Sequence, residues 1–258
     1  MAITESIFRE YDIRGEYPNQ INEDVVKKIG FAISHKCIDL GIDEICVGRD
    51  GRISGKSLLD ALIEGIIESG INVLNIDLAT SPLLYYAAKK NKNKSGVMIT
   101  GSHNPKNHNG IKLVINDNPV SGKEILALID KGKPLSNSLG TVKEINIKDS
   151  YIKEVVDSSK INKNIKVVID CGNGAAGFIA PELYKKLGCE VIELYSEVDG
   201  NFPNHHPDPG KIDNLKDLIN EVRKQKADLG LAFDGDGDRV GLVTDKGEIV
   251  FPDKIMMM

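Results

Sequence analysis

Residues 44–76 read EICVGRDGRISGKSLLDALIEGIIESGINVLNI. Glu44–Gly48 is a short run of apolar and β-branched residues ending in a Gly/Arg/Asp turn, the pattern of a buried strand. From Lys56 to Glu68, leucines and isoleucines recur three and four apart, which lines them along one side of a helix, and Gly70 stops it. Ile71–Ile76 is the next strand. Two strands joined by one helix form a βαβ unit, which implies a parallel pair covered by that helix.

The same alternation continues in both directions. Upstream, Asn22 caps a helix that Gly41 closes. Downstream, Ser81-Pro82 looks like an N-cap with proline at the first helical position, opening a helix that runs to about Lys90. Strands Gly96–Thr100 and Gly110–Ile115 flank a loop, and Ser121-x-x-Glu124 is a capping box for another helix. Gly132–Ser150 is polar and broken by Pro134, Asn137 and Gly140, which puts a domain boundary near residue 148. Beyond it the pattern restarts with a helix near Tyr151–Ser158, strand Ile165–Asp170, helix Phe178–Leu187 and strand Glu190–Tyr195. After a loop rich in Pro, Asn and His come helix Ile212–Gln225, strand Asp228–Phe233 and a hairpin over Val240–Val250. The expected class is α/β: two consecutive three-layer α/β/α domains with mixed, mostly parallel sheets, over 1–148 and 149–252.

Composition narrows the function. In 258 residues, 41% hydrophobic and 28% charged content is ordinary for a globular chain, and a net charge of −5 argues against a bulk electrostatic grip on nucleic acid or anionic lipid. No apolar run approaches the roughly 18 residues of a membrane-spanning helix. Met1–Glu10 lacks the basic and apolar regions of a secretory signal. Cys37, Cys46, Cys171 and Cys189 are widely spaced with no CxxC, as expected of buried thiols in a reducing cytoplasm.

Several segments carry chemistry. Asp234-Gly-Asp236-Gly-Asp238-Arg239 follows a strand, and three carboxylates at alternate positions repel one another unless a cation neutralises them. Oxygen-only ligation suits Mg²⁺ or Ca²⁺; the other possibility is a solvated acidic turn. An EF-hand loop is excluded, because Arg239 stands where its glycine belongs and Asp245 where its bidentate glutamate belongs. Thr100-Gly-Ser102-His103-Asn104-Pro105 makes a tight loop expected to lift the Ser102 hydroxyl clear of the sheet, with Lys112 in the next strand facing the same spot. Such a serine is either a nucleophile or a turn former. Gly172-Asn-Gly174-Ala-Ala-Gly177, with Glu193 roughly twenty residues on, matches a dinucleotide fingerprint but equally a tight strand-to-helix turn. Arg9, Tyr11 and Arg14 sit in a short N-terminal element that reads by itself as a surface strand. Arg49-Asp50-Gly51-Arg52 is a charged turn that either binds an anion or aids solubility. His205 and His206 lie in a proline-rich connector and read as loop histidines.

Seven of these segments, IFREYDIRG (7–15), VGRDGRISG (47–55), TGSHNP (100–105), NGIK (109–112), DCGNGAAG (170–177), DGNFPNHHPDP (199–209) and DGDGDR (234–239), together resemble the α-D-phosphohexomutase superfamily, in its phosphomannomutase/phosphoglucomutase branch. The resemblance implies that Ser102 carries a phosphoryl group, gives it to a hexose monophosphate to form a bisphosphate, and takes the other one back. It implies that Asp234, Asp236 and Asp238 hold Mg²⁺ together with a phosphoserine oxygen. Arg14 and Lys112 would handle the proton and charge at the serine oxygen, and Arg239 and Tyr11 would meet the substrate. His103 and Asn104 would shape the loop. DCGNGAAG would then be a turn without NAD. The family has four domains, so 253–258 resembles the entry to a third. Pro252-Asp253 looks like a helix start with barely one turn after it, the pattern either of a chain cut from a longer protein, expected to turn over substrate poorly alone, or of a frayed tail. A non-catalytic Mg²⁺- or phosphosugar-binding module is the competing expectation.

Overall fold

The structure is a computed structural model that describes residues 3–161, 164–251, 254 and 257. The helix start expected at Pro252-Asp253 lies outside the described residues. The chain divides into two compact units, Met1–Ile147 and Lys148–Met258.

In the first unit the elements run β1 (Ile13–Glu16), α1 (Glu23–Asp39), β2 (Glu44–Arg49), α2 (Gly55–Glu68), β3 (Asn72–Leu78), α3 (Ser81–Lys90), β4 (Gly96–Ile99), β5 (His108–Ile115), β6 (Asn118–Pro119), α4 (Gly122–Ile129) and β7 (Val142–Glu144). The sheet order is β1-β5-β4-β2-β3-β7, with β6 added beside β5. Strands β4, β2, β3 and β7 are mutually parallel, while β5 runs antiparallel to both β4 and β1. The Asn22 side chain accepts the Val25 N–H to start α1. Val26, Ile29 and Ile33 of α1 and Leu58, Leu62 and Ile66 of α2 are buried in one core with the sheet. The two helices meet at Gly30 and Gly65, and a Cβ on Gly65 would lie 2.4 Å from the Lys27 carbonyl oxygen, so only glycine allows this approach.

Two expectations change here. The N-cap of α3 is Thr80, whose hydroxyl accepts the Leu83 N–H, so Ser81 is already helical and Pro82 follows it. The polar stretch after Gly132 also contributes β7, because Val73 N bonds the Thr141 carbonyl and the sheet gains an edge strand. That strand is only three residues long and fully exposed, so no hydrophobic pattern announces it.

The second unit contains α5 (Lys148–Ser158), β8 (Lys166–Asp170), α6 (Ala180–Lys186), β9 (Glu190–Leu194), α7 (Lys216–Gln225), β10 (Leu229–Phe233), β11 (Val240–Thr244) and β12 (Ile249–Val250). Its sheet order is β12-β11-β10-β8-β9, parallel across β10, β8 and β9 and antiparallel across β10, β11 and β12. Cores form on both faces of this sheet, one around Val168, Leu218 and Val222 and another around Val167, Ile169 and Ala180. The helix expected over 178–187 is α6, starting two residues later after a 3-10 turn at Ala175–Phe178, and the helix expected over 212–225 is split into a 3-10 turn at Ile212–Leu215 and α7. No described helix is long and apolar enough to cross a membrane.

Candidate functional site: a serine loop and an acidic loop

The first-unit loop connects β4 to β5. Thr100 N bonds the Gly110 carbonyl and Asn104 N bonds the Gly101 carbonyl, which closes a tight turn around Ser102. Ser102 takes φ +49°, a left-handed backbone that non-glycine residues seldom adopt. Its amide donates to the Thr100 hydroxyl at 2.8 Å, and its Oγ lies 3.3 Å from His103 Nδ1. Ser102 lies in the loop beyond the end of β4, and it is fully buried. The cause is Arg52, whose guanidinium draws the loop inward by donating to the carbonyls of Ser102, Asn104, Pro105 and His108. Asp50 and Arg52, expected as an anion-binding or solubilising turn, are therefore both buried inside this loop. Two charges spaced i, i+2 after a strand were the available signal, but nothing local says that they fold inward.

Arg14, in β1 opposite Gly110, donates Nε to Asp12 at 2.6 Å and Nη1 to the Asn104 side chain at 2.8 Å, so β1 is tied to the serine loop. Lys112 lies on β5 opposite Met98 and is half-buried. His103 and Asn104 are half-buried in the loop itself, and Tyr11 is 88% exposed.

The second-unit loop connects β10 to β11. Gly237 at φ +71° and the Gly237 N to Asp234 carbonyl bond turn the chain sharply. Asp234 Oδ1 accepts the amides of Asp238 and Arg239, each at 3.1 Å. One oxygen from each of Asp234, Asp236 and Asp238 lies within 4.8 Å of the others; the first two residues are fully buried and the third is exposed. Asp236 Oδ1 is buried and accepts no hydrogen bond. Two unit charges 4.8 Å apart repel by about 3 kcal/mol at an effective dielectric of ~20, so three of them favour a divalent cation strongly. An all-carboxylate set suits a hard ion such as Mg²⁺, and it leaves positions for other oxygen ligands. Arg239 is exposed beside the triplet.

The glycine-rich segment 172–177 supports this loop. Ala175 N donates to the Gly235 carbonyl, and a Cβ on Gly174 would lie 3.0 Å from Gly235 Cα. A Cβ on Gly177 would lie 2.0 Å from the Ser196 carbonyl oxygen. These glycines permit close packing, and an amide that would face a pyrophosphate in a dinucleotide site is bonded to the acidic loop. His205 Nε2 contacts Asp170 Oδ2 at 2.9 Å and its Nδ1 contacts the His206 carbonyl at 3.1 Å, so it joins the connector to the end of β8.

Known proteins share this arrangement of elements. The phosphoglucomutase/phosphomannomutase α/β/α domain I model matches residues 5–134, and the domain II model of the same family matches residues 149–247. A phosphomannomutase/phosphoglucomutase of Pseudomonas putida is 51% identical over 259 residues, covering 100% of this chain and 56% of that protein. A phosphoglucomutase of Neisseria gonorrhoeae is 46% identical, covering 100% of this chain and 57% of its own length. The crystal structure of a phosphoglucomutase/phosphomannomutase family protein from Burkholderia thailandensis superposes with a TM-score of 0.94 at 37% identity, covering 98% of this chain and 57% of that one. The chain thus spans little more than half the length of the relatives it matches. With both family models accounting for most of its residues, the chain belongs to the phosphoglucomutase/phosphomannomutase family.

Proposed function

We propose that this chain supplies the phosphoryl-accepting serine and the metal-binding carboxylates of a phosphohexomutase that interconverts hexose 1-phosphate and hexose 6-phosphate. The observation that carries it is the cluster of three carboxylate oxygens within 4.8 Å, on a chain of this family. Ser102 is the group that exchanges phosphoryl with a hexose 1,6-bisphosphate. In that exchange the Oγ–P bond forms, the sugar O–P bond breaks, and the hydroxyl proton ends on the sugar oxygen. Phosphoryl transfer asks a protein mainly for positioning and charge stabilisation. Ser102 is held by its loop at a fixed backbone geometry, and Arg14 bonds the same loop through Asn104. We assign Arg14 and Lys112 to the charge and proton at the serine oxygen, Arg239 and Tyr11 to the substrate, and His103 and Asn104 to loop shape.

Asp234, Asp236 and Asp238 would hold Mg²⁺. When bound, the ion would offset the mutual repulsion of the three carboxylates. The substrate class is a hexose monophosphate. Relatives carry the names phosphomannomutase/phosphoglucomutase, phosphoglucomutase and probable phosphoglucosamine mutase, which share that class. The cysteines Cys37, Cys46, Cys171 and Cys189 are all free, as in the reducing cytoplasm, and burial pushes the first three thiols up to about 12.

Incubation with labelled hexose 1,6-bisphosphate and Mg²⁺, followed by peptide mapping, tests this function. Label is expected on Ser102 and is expected to vanish in Ser102→Ala. Label on another residue would reassign the nucleophile.

A further inference from the structure

We propose that Asp50 and Arg52 are positioning residues that hold the Ser102 loop in its reactive shape; this rests on Ser102 being the phosphoryl acceptor. Both residues are only 1% exposed. A buried ion pair is a poor source of stability, since apolar residues of similar volume often do as well, so its value here lies in what it fixes.

Arg52 uses all five of its N–H groups. Nε meets Asp50 Oδ2 at 3.3 Å, Nη1 meets the carbonyls of Pro105 and His108 at 2.6 and 2.8 Å, and Nη2 meets those of Ser102 and Asn104 at 2.8 and 2.6 Å. Three carbonyls of the loop and that of His108, the first residue of β5, thus converge on one planar cation, a geometry that the guanidinium fork fits and an ammonium does not. Asp50 works on the other side of the loop. Its Oδ2 accepts from the Thr100 hydroxyl at 2.7 Å and from the Gly101 amide at 3.2 Å, and the Thr100 hydroxyl accepts the Ser102 amide. Ser102 is therefore gripped through its carbonyl by Arg52 and through its amide by the Asp50–Thr100 chain. That double hold sustains the left-handed φ of +49°.

Because every Arg52 donor is committed to the loop or to Asp50, Arg52 shapes the loop and does not read the phosphoryl group. The contact is close enough to dictate sequence: a Cβ on Gly101 would lie 2.4 Å from Arg52 Cζ.

The test compares labelling of the intact chain by hexose 1,6-bisphosphate in Arg52→Lys and Thr100→Val, each at least ten degrees below its own melting temperature. Reactions that depend on orientation lose about 100-fold for misplacements near 1 Å. Arg52→Lys should therefore slow Ser102 labelling about 100-fold, and Thr100→Val about 10-fold, with the half-saturating bisphosphate concentration within about threefold of wild type. A merely structural pair would lower the melting temperature and leave the labelling rate of folded molecules unchanged, which would overturn the proposal. If Arg52→Lys does not fold, Thr100→Val decides by the same criterion. If the wild-type chain is not labelled at Ser102, the functional reading fails first. Amide exchange then decides the positioning: at least tenfold faster exchange at residues 101–104 in Arg52→Lys, with β4 and β5 unchanged, supports it, and an unchanged loop overturns it.

Discussion

The Ser102 loop and the Asp234–Asp238 loop occupy matching places in their units. Each follows a buried strand of the parallel part of a sheet and leads into an antiparallel neighbour. Their charge balance is opposite. The serine loop closes over a buried carboxylate and a buried guanidinium that satisfy one another and the backbone. The acidic loop brings together three carboxylates, two of them fully buried, and leaves one carboxylate oxygen with no hydrogen bond. The first loop is held by internal bonding; the second, under the proposed function, would be completed by a bound cation. Breaking each should therefore leave different traces.

The largest effect is expected where the internal bonding is tightest. Gly101→Ala forces a methyl group against the Arg52 guanidinium, at 2.4 Å in the present geometry. Overpacking of a closed site costs about 3 kcal/mol at the upper end, or roughly 6–12 °C in melting temperature for a unit of this size. Thermal unfolding of the first unit, resolved by amide exchange, checks this, and Mg²⁺ should not restore the loss. A shift under about 2 °C would show that the serine loop yields easily and is not rigid.

The acidic loop should respond to metal instead. Mg²⁺ at about 100 times its dissociation constant stabilises a binding unit by about 2.7 kcal/mol, and chelation removes the gain. Asp236→Asn should abolish that response. Without metal the same substitution should stabilise the second unit by about 1 kcal/mol, since it relieves repulsion around a buried carboxylate. An equal Mg²⁺ response in Asp236→Asn would place the cation elsewhere and remove the contrast between the loops.

Local periodicity carried most of the fold into view. The βαβ unit over 44–76 was legible because its apolar residues repeat at helix and strand spacing and its turn residues bracket them. Strand β7 was not, since its three residues are exposed and join β3 through backbone pairing and one polar side-chain bond, from Asn75 Nδ2 to Glu144, with no apolar pattern to mark them. The 3-10 turns before α6 and α7 were hidden for a related reason: 3-10 and α turns share nearly the same side-chain pattern over four residues. At the site, the carboxylate triplet was visible because repulsion is written into its spacing. Asp50 and Arg52 were not, because a charged turn looks solvated until the carbonyls of residues 102–108, distant in sequence, fold onto it.

The smallest expected effect sharpens the comparison within the second unit. Asp170, at the end of β8, is fully buried like Asp234 and Asp236, yet its counter-ion is internal. His205 faces the Asp170 carboxylate with one ring nitrogen and the His206 carbonyl with the other, and both partners accept, so the bonded form is the imidazolium. Burial alone would lower its pKa. The hydrogen bond and charge of Asp170, the His206 carbonyl and the charge of Asp217 outweigh that, and the net shift is upward from 6.5. Tyr195, edge-on to the ring at 5.4 Å, has its phenol pushed up to about 12 by burial and by Asp217, so it stays neutral through the relevant range. A folded-state pKa above the unfolded one means that the folded protein holds this proton more tightly. The stabilisation is then fully present below the unfolded pKa and is lost as pH rises through the folded value. Melting of the second unit should fall over that interval by less than the Asp236→Asn gain, with and without Mg²⁺, and His205→Gln should flatten the curve. A pH response that disappears when Mg²⁺ is added would instead tie His205 to the acidic loop, and Asp170 would then share the cation proposed for Asp234 and Asp236.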